Sequence, residues 1–433
     1  MTESGYDGLF AAHKLHGFIE DICRDAHVGP ARSVYIPPPD IPGMQPLMAG
    51  ITLARQAIVQ YLRRLRNLSE DHIRGEITEN GEQYTLALRR EGGTRALVTV
   101  TADNPDDVLF HGALKLLEQA EPFVAGAWHW ECGEYDDAIA MARQCLKDES
   151  WEEKGLAYNL WGNALADLAR NFSGDPVAQQ LQYAEVCDKY RQATELDDTL
   201  AVAFYNWGND LRQWAEFLAD FPEKQQAKYA EACEKYERAT DIDAYYATAW
   251  SNWGNVLYTW ARVMSDDPAD QAEHYAAACK KFILATDLHD KDALAFYNWG
   301  NALHHLAKIL SDKPAEQQRK YAEACEKYAR ATTLAEMLSD AWYNWGFALM
   351  ARSRGEESLA TKMEHAGQAV AKFEIFLKLE PDAAEADEVR DIMNNLHRAL
   401  QPHVNGSERV RTVFEKLDAL LSDLESDNPN PTD

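Results

Sequence analysis

A glycine recurs every 46 residues through the middle of this chain, at Gly162, Gly208, Gly254, Gly300 and Gly346. Each stands in a block close to Phe-Tyr-Asn-Trp-Gly-Asn. Cys187, Cys233, Cys279 and Cys325 keep the same step, as do Tyr183, Tyr229, Tyr275 and Tyr321, and Pro176, Pro222, Pro268 and Pro314. A period shared by unrelated residue types marks stacked repeats, each covering an apolar face of the next. Function in such a chain belongs to an extended surface rather than to one deep pocket.

The copy over residues 293–336 shows what one repeat contains. In ALAFYNWGNALHHLAKIL, residues Phe296, Trp299, Ala302, Leu303, Leu306 and Leu310 share one helical face. The stretch SDKP breaks this run, and Pro314 suits the first turn of a new helix, where its missing N–H needs no partner. In YAEACEKYARATTL, residues Tyr321, Ala324, Cys325, Tyr328, Ala331 and Leu334 form a second apolar face. The unit is a helical hairpin. A glycine inside a helix costs about 1 kcal/mol relative to alanine, so its recurrence implies close helix packing in return.

FYNWGNAL and YAEACEKYARAT resemble the two helices of the tetratricopeptide repeat family, over residues 119–381. The resemblance implies a mainly α, right-handed superhelical solenoid that serves as an interaction scaffold. The usual repeat of the family has 34 residues, so these copies form a long variant. One repeat of ordinary length is expected over 119–150, around Gly126 and GEYDDAI. Five long repeats follow over 151–381.

The flanks differ in kind. Residues 1–118 are expected to form a small α+β domain, with helices over 8–25, 44–68 and 106–120 and a proline-rich connector, YIPPPDIPG, over 35–43. Its centre is a three-stranded antiparallel meander over 72–101, with Asn80-Gly81 as the first hairpin turn. This domain either caps the apolar end of the array or offers a sheet edge to a partner strand. Helices over 384–401 and 407–424, within a segment 382–425, are expected to cap the other end. The tail 426–433 is polar and expected to be disordered.

Charge limits the partners. The chain has 43 Lys and Arg against 71 Asp and Glu, a net charge of −28, and no segment is basic. Nucleic acid and anionic membrane surfaces are therefore poor partners, and a neutral to basic protein or peptide is favoured. No run of apolar residues reaches the 18 or more of a spanning helix. The periodic cysteines fall on core-facing positions, and Cys23, Cys132 and Cys145 show no C-x-x-C spacing, so a reduced, cytoplasmic protein without disulfides is expected.

The resemblance places the first helix of each hairpin on the concave wall. Its groove positions map onto Tyr205, Ser251, Tyr297 and Tyr343, onto Asn206, Asn252, Asn298 and Asn344, and onto Asn163, Asn209, Asn255 and Asn301. Arg212, Tyr258 and His304 lie one turn further on. Asparagine is a poor helix former, so two rows of it need a reason. Two readings stand: the amides pair with the backbone of an extended peptide, or they bond within the scaffold. A clamp for acidic tails would need several Lys and Arg in the groove, and Arg212 is the lone cation there. The tryptophans beside each glycine read as core.

No enzyme signature appears. His304 and His305 point about 100° apart on a helix and cannot chelate one metal together. His13 and His16 lack a third ligand nearby. Phosphate-loop, H-E-x-x-H and G-x-S-x-G motifs are absent, and no cofactor is expected. The reading is a non-catalytic scaffold, with a regulatory subunit docking through residues 1–118, or a self-associating structural protein, as alternatives.

Overall fold

A computed structural model describes residues 73–427 apart from 91–93, 150, 173–174 and 264–266, together with Phe18 and Asp21. Apart from Phe18 and Asp21, which are helical, the expected helix over 8–25 lies outside the described residues, as do the helix over 44–68, the connector 35–43, the His13–His16 pair, Cys23 and residues 428–433. The chain divides into two compact units, residues 1–214 and 215–433.

In the first unit, β1 (Ile73–Asn80), β2 (Gln83–Arg90) and β3 (Ala96–Ala102) form an antiparallel meander in the order β1-β2-β3. Asn80 pairs with Gln83 across a two-residue turn, and Gly81 takes φ 70° there, a conformation that glycine adopts without strain. The side chains alternate across the sheet, so Leu86, Leu88 and Val98 share one buried face. That face packs on Val108 and Leu109 of α1 (Pro105–Ala120). Asn104 caps α1 by accepting the Asp107 N–H at 2.8 Å.

The first hairpin is short. It joins α2 (Pro122–Glu131) to α3 (Tyr135–Lys147) through Cys132–Glu134. Gly133 at φ 80° sits at the end of α2, where its N–H bonds the Trp130 carbonyl and the Glu134 N–H bonds the His129 carbonyl. This paired bonding closes the helix and returns the chain at once. Then come α4 (Lys154–Arg170), α5 (Pro176–Leu196) and α6 (Ala201–Phe217), whose last residues begin the second unit.

The second unit contains three complete hairpins. These are α8 (Ala247–Val263) with α9 (Pro268–Leu288), α10 (Ala293–Ile309) with α11 (Pro314–Leu334), and α12 (Ser339–Gly355) with α13 (Leu359–Leu379). They are preceded by α7 (Pro222–Ile242) and followed by α14 (Ala384–Leu400) and α15 (Glu408–Asp427). Four second helices open on the periodic prolines. The last opens on Leu359, 45 residues after Pro314, so its side chains run one residue ahead of the 46-residue step. The architecture is mainly α, an array of repeated helical hairpins of the tetratricopeptide kind with a small three-stranded meander.

The glycine in the first helix receives an aromatic ring from the second. A Cβ on Gly162 would lie 2.8 Å from Tyr190, on Gly254 2.8 Å from Phe282, and on Gly300 2.6 Å from Tyr328; Gly346 meets Phe373 in the same way. None of these contacts leaves room for a methyl group, which explains the glycine despite its helix penalty.

Candidate functional site

The side chains expected along the first-helix wall separate by burial. In the first unit, Asn163, Tyr205, Asn206 and Asn209 are buried, and Arg212 is half-buried. The Tyr190 hydroxyl lies 2.9 Å from Asn163 Oδ1 and 2.8 Å from Asp210 Oδ2, and donates to one or the other. Asn206 Nδ2 donates to Asn159 Oδ1 at 3.2 Å. Asn159 occupies in α4 the place that Tyr205 has in α6, and sequence reasoning missed it because its neighbours at the 46-residue step are Tyr and Ser.

In the second unit, Asn252, Asn255, Tyr258, Tyr297, Asn298, His304, Tyr343 and Asn344 are half-buried, while Asn301 is buried. Asn301 Oδ1 accepts from the Tyr328 hydroxyl at 2.8 Å and from Asn344 Nδ2 at 3.0 Å. Asn344 Nδ2 also reaches the Tyr297 hydroxyl at 3.1 Å. These bonds tie α10 to α11 within a hairpin and to α12 of the next. The row one residue after the glycine therefore bonds inside the scaffold at Asn163 and Asn301. The row before the tryptophan stays half-exposed at Asn252, Asn298 and Asn344.

Aromatic side chains frame this half-exposed row. Tyr343 donates to Glu388 Oε2 at 2.8 Å, and its ring lies 4.8 Å from Phe347 and 5.1 Å from Phe376. Burial and the Glu388 carboxylate hold the Tyr343 phenol well above its ordinary pKa. Burial also raises Tyr258 and Tyr297. His304 lies edge-on to Tyr321 at 5.3 Å, and His305 stacks on Tyr275 at 5.5 Å. Burial pushes His304 down to about 3 and His305 to about 4, so both rings are neutral at pH 7. His305 and Tyr275 were not among the expected site residues: His305 sits four residues after Asn301 on the same helix, whereas Tyr275 comes from the second helix and meets Tyr258 at 5.8 Å only in the packed hairpin.

The tryptophans expected as core stand at its edge. Trp253 is buried, while Trp161, Trp207, Trp299 and Trp345 are half-buried. Trp250 stacks on Trp253 at 5.6 Å, Phe296 on Trp299 at 6.3 Å and Trp342 on Trp345 at 5.6 Å. A lysine from the second helix covers each indole: Lys281 Nζ is 3.2 Å from the Trp253 centroid, Lys327 is 3.8 Å from Trp299, and Lys372 is 3.7 Å from Trp345. Such stacked, cation-covered rings hold a hairpin together. Their faces are already occupied, so they offer no platform to a ligand base. Burial pushes the Cys233 and Cys279 thiols up to about 12 and Cys325 to about 11, the opposite of an activated nucleophile.

The geometry defines a repeat-hairpin protein whose first helices carry a polar and aromatic row. No family model matches the sequence, and no curated protein matches it. Among solved structures the chain is similar to YrrB, described as a TPR protein with an unusual peptide-binding site, at 18% identity and a TM-score of 0.38 over 58% of this chain and 97% of that one. It is similar to MamA from Desulfovibrio magneticus RS-1 at 15% identity and a TM-score of 0.33, covering 51% and 97%. For PilF of Pseudomonas aeruginosa the values are 16%, 0.28, 60% and 96%. The fold stands on the hairpins themselves and not on these scores. Among the described residues, no helix is long and apolar enough to cross a membrane.

Proposed function

We propose that this chain is a non-catalytic interaction scaffold that holds an extended peptide segment of a protein partner along the first helices of α8, α10 and α12. One observation carries the reading. Asn252, Asn298 and Asn344 recur at the same helical position, half-buried, with Tyr297 and Tyr343 next to the last two and Tyr258 further along α8; the Asn344 amide N–H is already held by Tyr297 and Asn301, which leaves its oxygen to a ligand. Primary amides offer a donor and an acceptor, which match the N–H and C=O of a peptide backbone, and tyrosine rims bury apolar side chains at low entropic cost. Asn301 supports that wall from inside, and Asn255 and His304 lie on the same helices; in the first unit the equivalent Asn163, Asn206, Asn209 and Arg212 form the corresponding face of α4 and α6. The net charge of −28 favours a neutral to basic partner over nucleic acid.

The test begins with a random peptide library displayed on phage and selected on the full chain. The affinity of the selected peptide is then measured for the wild type and for an Asn252→Ala/Asn298→Ala variant with unchanged circular dichroism. Losing two amide contacts of about 1 kcal/mol each weakens binding by roughly tenfold or more. An unchanged affinity in the folded variant removes the wall from the reading.

A further inference from the structure

The structure assigns a divalent transition-metal site to the first hairpin, made by His129, Glu134 and Asp137. His129 lies in the last turn of α2, and it is 4% exposed. Glu134 and Asp137 sit three residues apart at the start of α3 and so share a face. The glycine turn at Gly133 returns the chain so that this face meets the imidazole. His129 Nδ1 lies 2.6 Å from Glu134 Oε2, and one ligand atom from each of the three residues lies within 4.8 Å of the others.

The donor set is chemically suited to such a cation. One imidazole nitrogen with two carboxylate oxygens matches Zn²⁺ with an open position for water, whereas Mg²⁺ and Ca²⁺ prefer all-oxygen sites. A tetrahedral Zn²⁺ at ordinary bond lengths spaces its ligands ~3.3 Å apart. The Nδ1–Oε2 pair opens slightly to reach that spacing, and the exposed Asp137 side chain swings inward.

A second feature lies outside the ligand set. His129 Nε2 is 3.3 Å from Glu118 Oε1 on α1. Glu118 is itself 8% exposed, and it is held by Lys115 at 2.7 Å. A buried carboxylate on the far ring nitrogen orients a metal-binding imidazole, and a cation at Nδ1 takes the place of the proton now shared with Glu134. Without a cation the same atoms make only ion pairs among α1, α2 and α3. With one, the two helices of the hairpin are clipped at their turn.

The experiment is calorimetric titration of the full chain, stripped with a chelator, with ZnCl₂. Asp137→Asn is the main variant, because it changes one exposed atom and leaves the His129 contacts to Glu118 and Glu134 in place. Glu118→Gln is the second. The expected result is one equivalent of Zn²⁺ bound by the wild type and lost or weakened at least about tenfold in Asp137→Asn, with Glu118→Gln weakening it by about 10–100-fold. Zn²⁺ bound by Asp137→Asn with wild-type stoichiometry and affinity overturns the assignment, since other histidines and cysteines would then hold it. A wild type that binds no Zn²⁺ overturns it too and leaves an ion-pair network only.

Discussion

At the scale of single residues, the repeat provides its own comparison set. Tyr190, Tyr236 and Tyr328 recur at one position of the second helix, and α9 has Phe282 there instead. At Tyr190 and Tyr328 the hydroxyl reaches the asparagine after the glycine, Asn163 and Asn301 respectively. In α8 the corresponding Asn255 Oδ1 is buried without a protein partner. Phe282 lies on Gly254 as Tyr328 lies on Gly300, so a hydroxyl added to that ring falls beside Asn255. Phe282→Tyr is therefore expected to stabilise the chain by about 1 kcal/mol in a urea titration, and to have no such effect in an Asn255→Ala background. The two asparagine rows were legible from spacing, but their different fates were not. They stand three residues apart on one helix face, so periodicity treats them alike. The second-helix hydroxyl reaches the later row at Asn163 and Asn301, whereas Asn206 and Asn344 of the earlier row bond first-helix side chains of the preceding repeat, and only packing shows which partner each row meets.

At the scale of elements, the helix boundaries were legible because strong local signals mark them. Proline at the first position opens α5, α7, α9 and α11, and the glycine of Asn80-Gly81 marks the β-hairpin, although the turn itself is Gly81-Glu82, one residue later than expected, with Asn80 paired to Gln83. The shift of α13 by one residue was not legible, because no proline marks its start and Phe373 replaces the expected tyrosine. The packing of α8 and α9 against α10 contains the His304–His305 pair, surrounded by Tyr258, Tyr275 and Tyr321, with Lys308 and Arg262 as the nearest charges. Burial acts first, and the neighbouring charges add to it, in holding both rings neutral. Their folded pKa values of about 3 and about 4 lie below the ordinary 6.5. From about one unit above pH 6.5 the rings are neutral in both states and contribute no pH dependence. As pH falls from 6.5 towards 4, the unfolded chain gains protons that the folded chain refuses, so stability falls by up to about 1.4 kcal/mol per pH unit for each histidine. A His304→Phe/His305→Phe variant keeps the ring contacts and is expected to lose less stability over pH 6.5 to 4.5 in urea titrations. Parallel curves for the two proteins would show that other groups drive acid unfolding.

At the scale of the whole molecule, charge and local pairing oppose each other. The net charge of −28 divides evenly, −14 in residues 1–214 and −14 in residues 215–433, so each unit carries its own repulsion. Against it stand short-range helix pairs such as Lys228–Glu231 at 2.7 Å, Lys320–Glu323 at 2.7 Å and Lys378–Glu374 at 2.8 Å. Exposed pairs of this kind contribute about 0.3–0.5 kcal/mol each and involve atoms in contact. The repulsion is summed over many longer distances, and those are what salt removes: the screening length falls from roughly 30 Å at 0.01 M to about 8 Å at 0.15 M. Contact pairs survive that change better than charges a helix diameter apart. The melting temperature is accordingly expected to rise by several degrees between 10 mM and 150 mM NaCl, measured by circular dichroism at pH 7.5. Over the same range a basic peptide bound along α8, α10 and α12 is expected to associate more slowly, because the field that attracts it is screened as well. A melting temperature that falls with salt would mean that the local pairs outweigh the repulsion, and the acidic surface would then be a stabilising network rather than a cost offset by the hairpin cores.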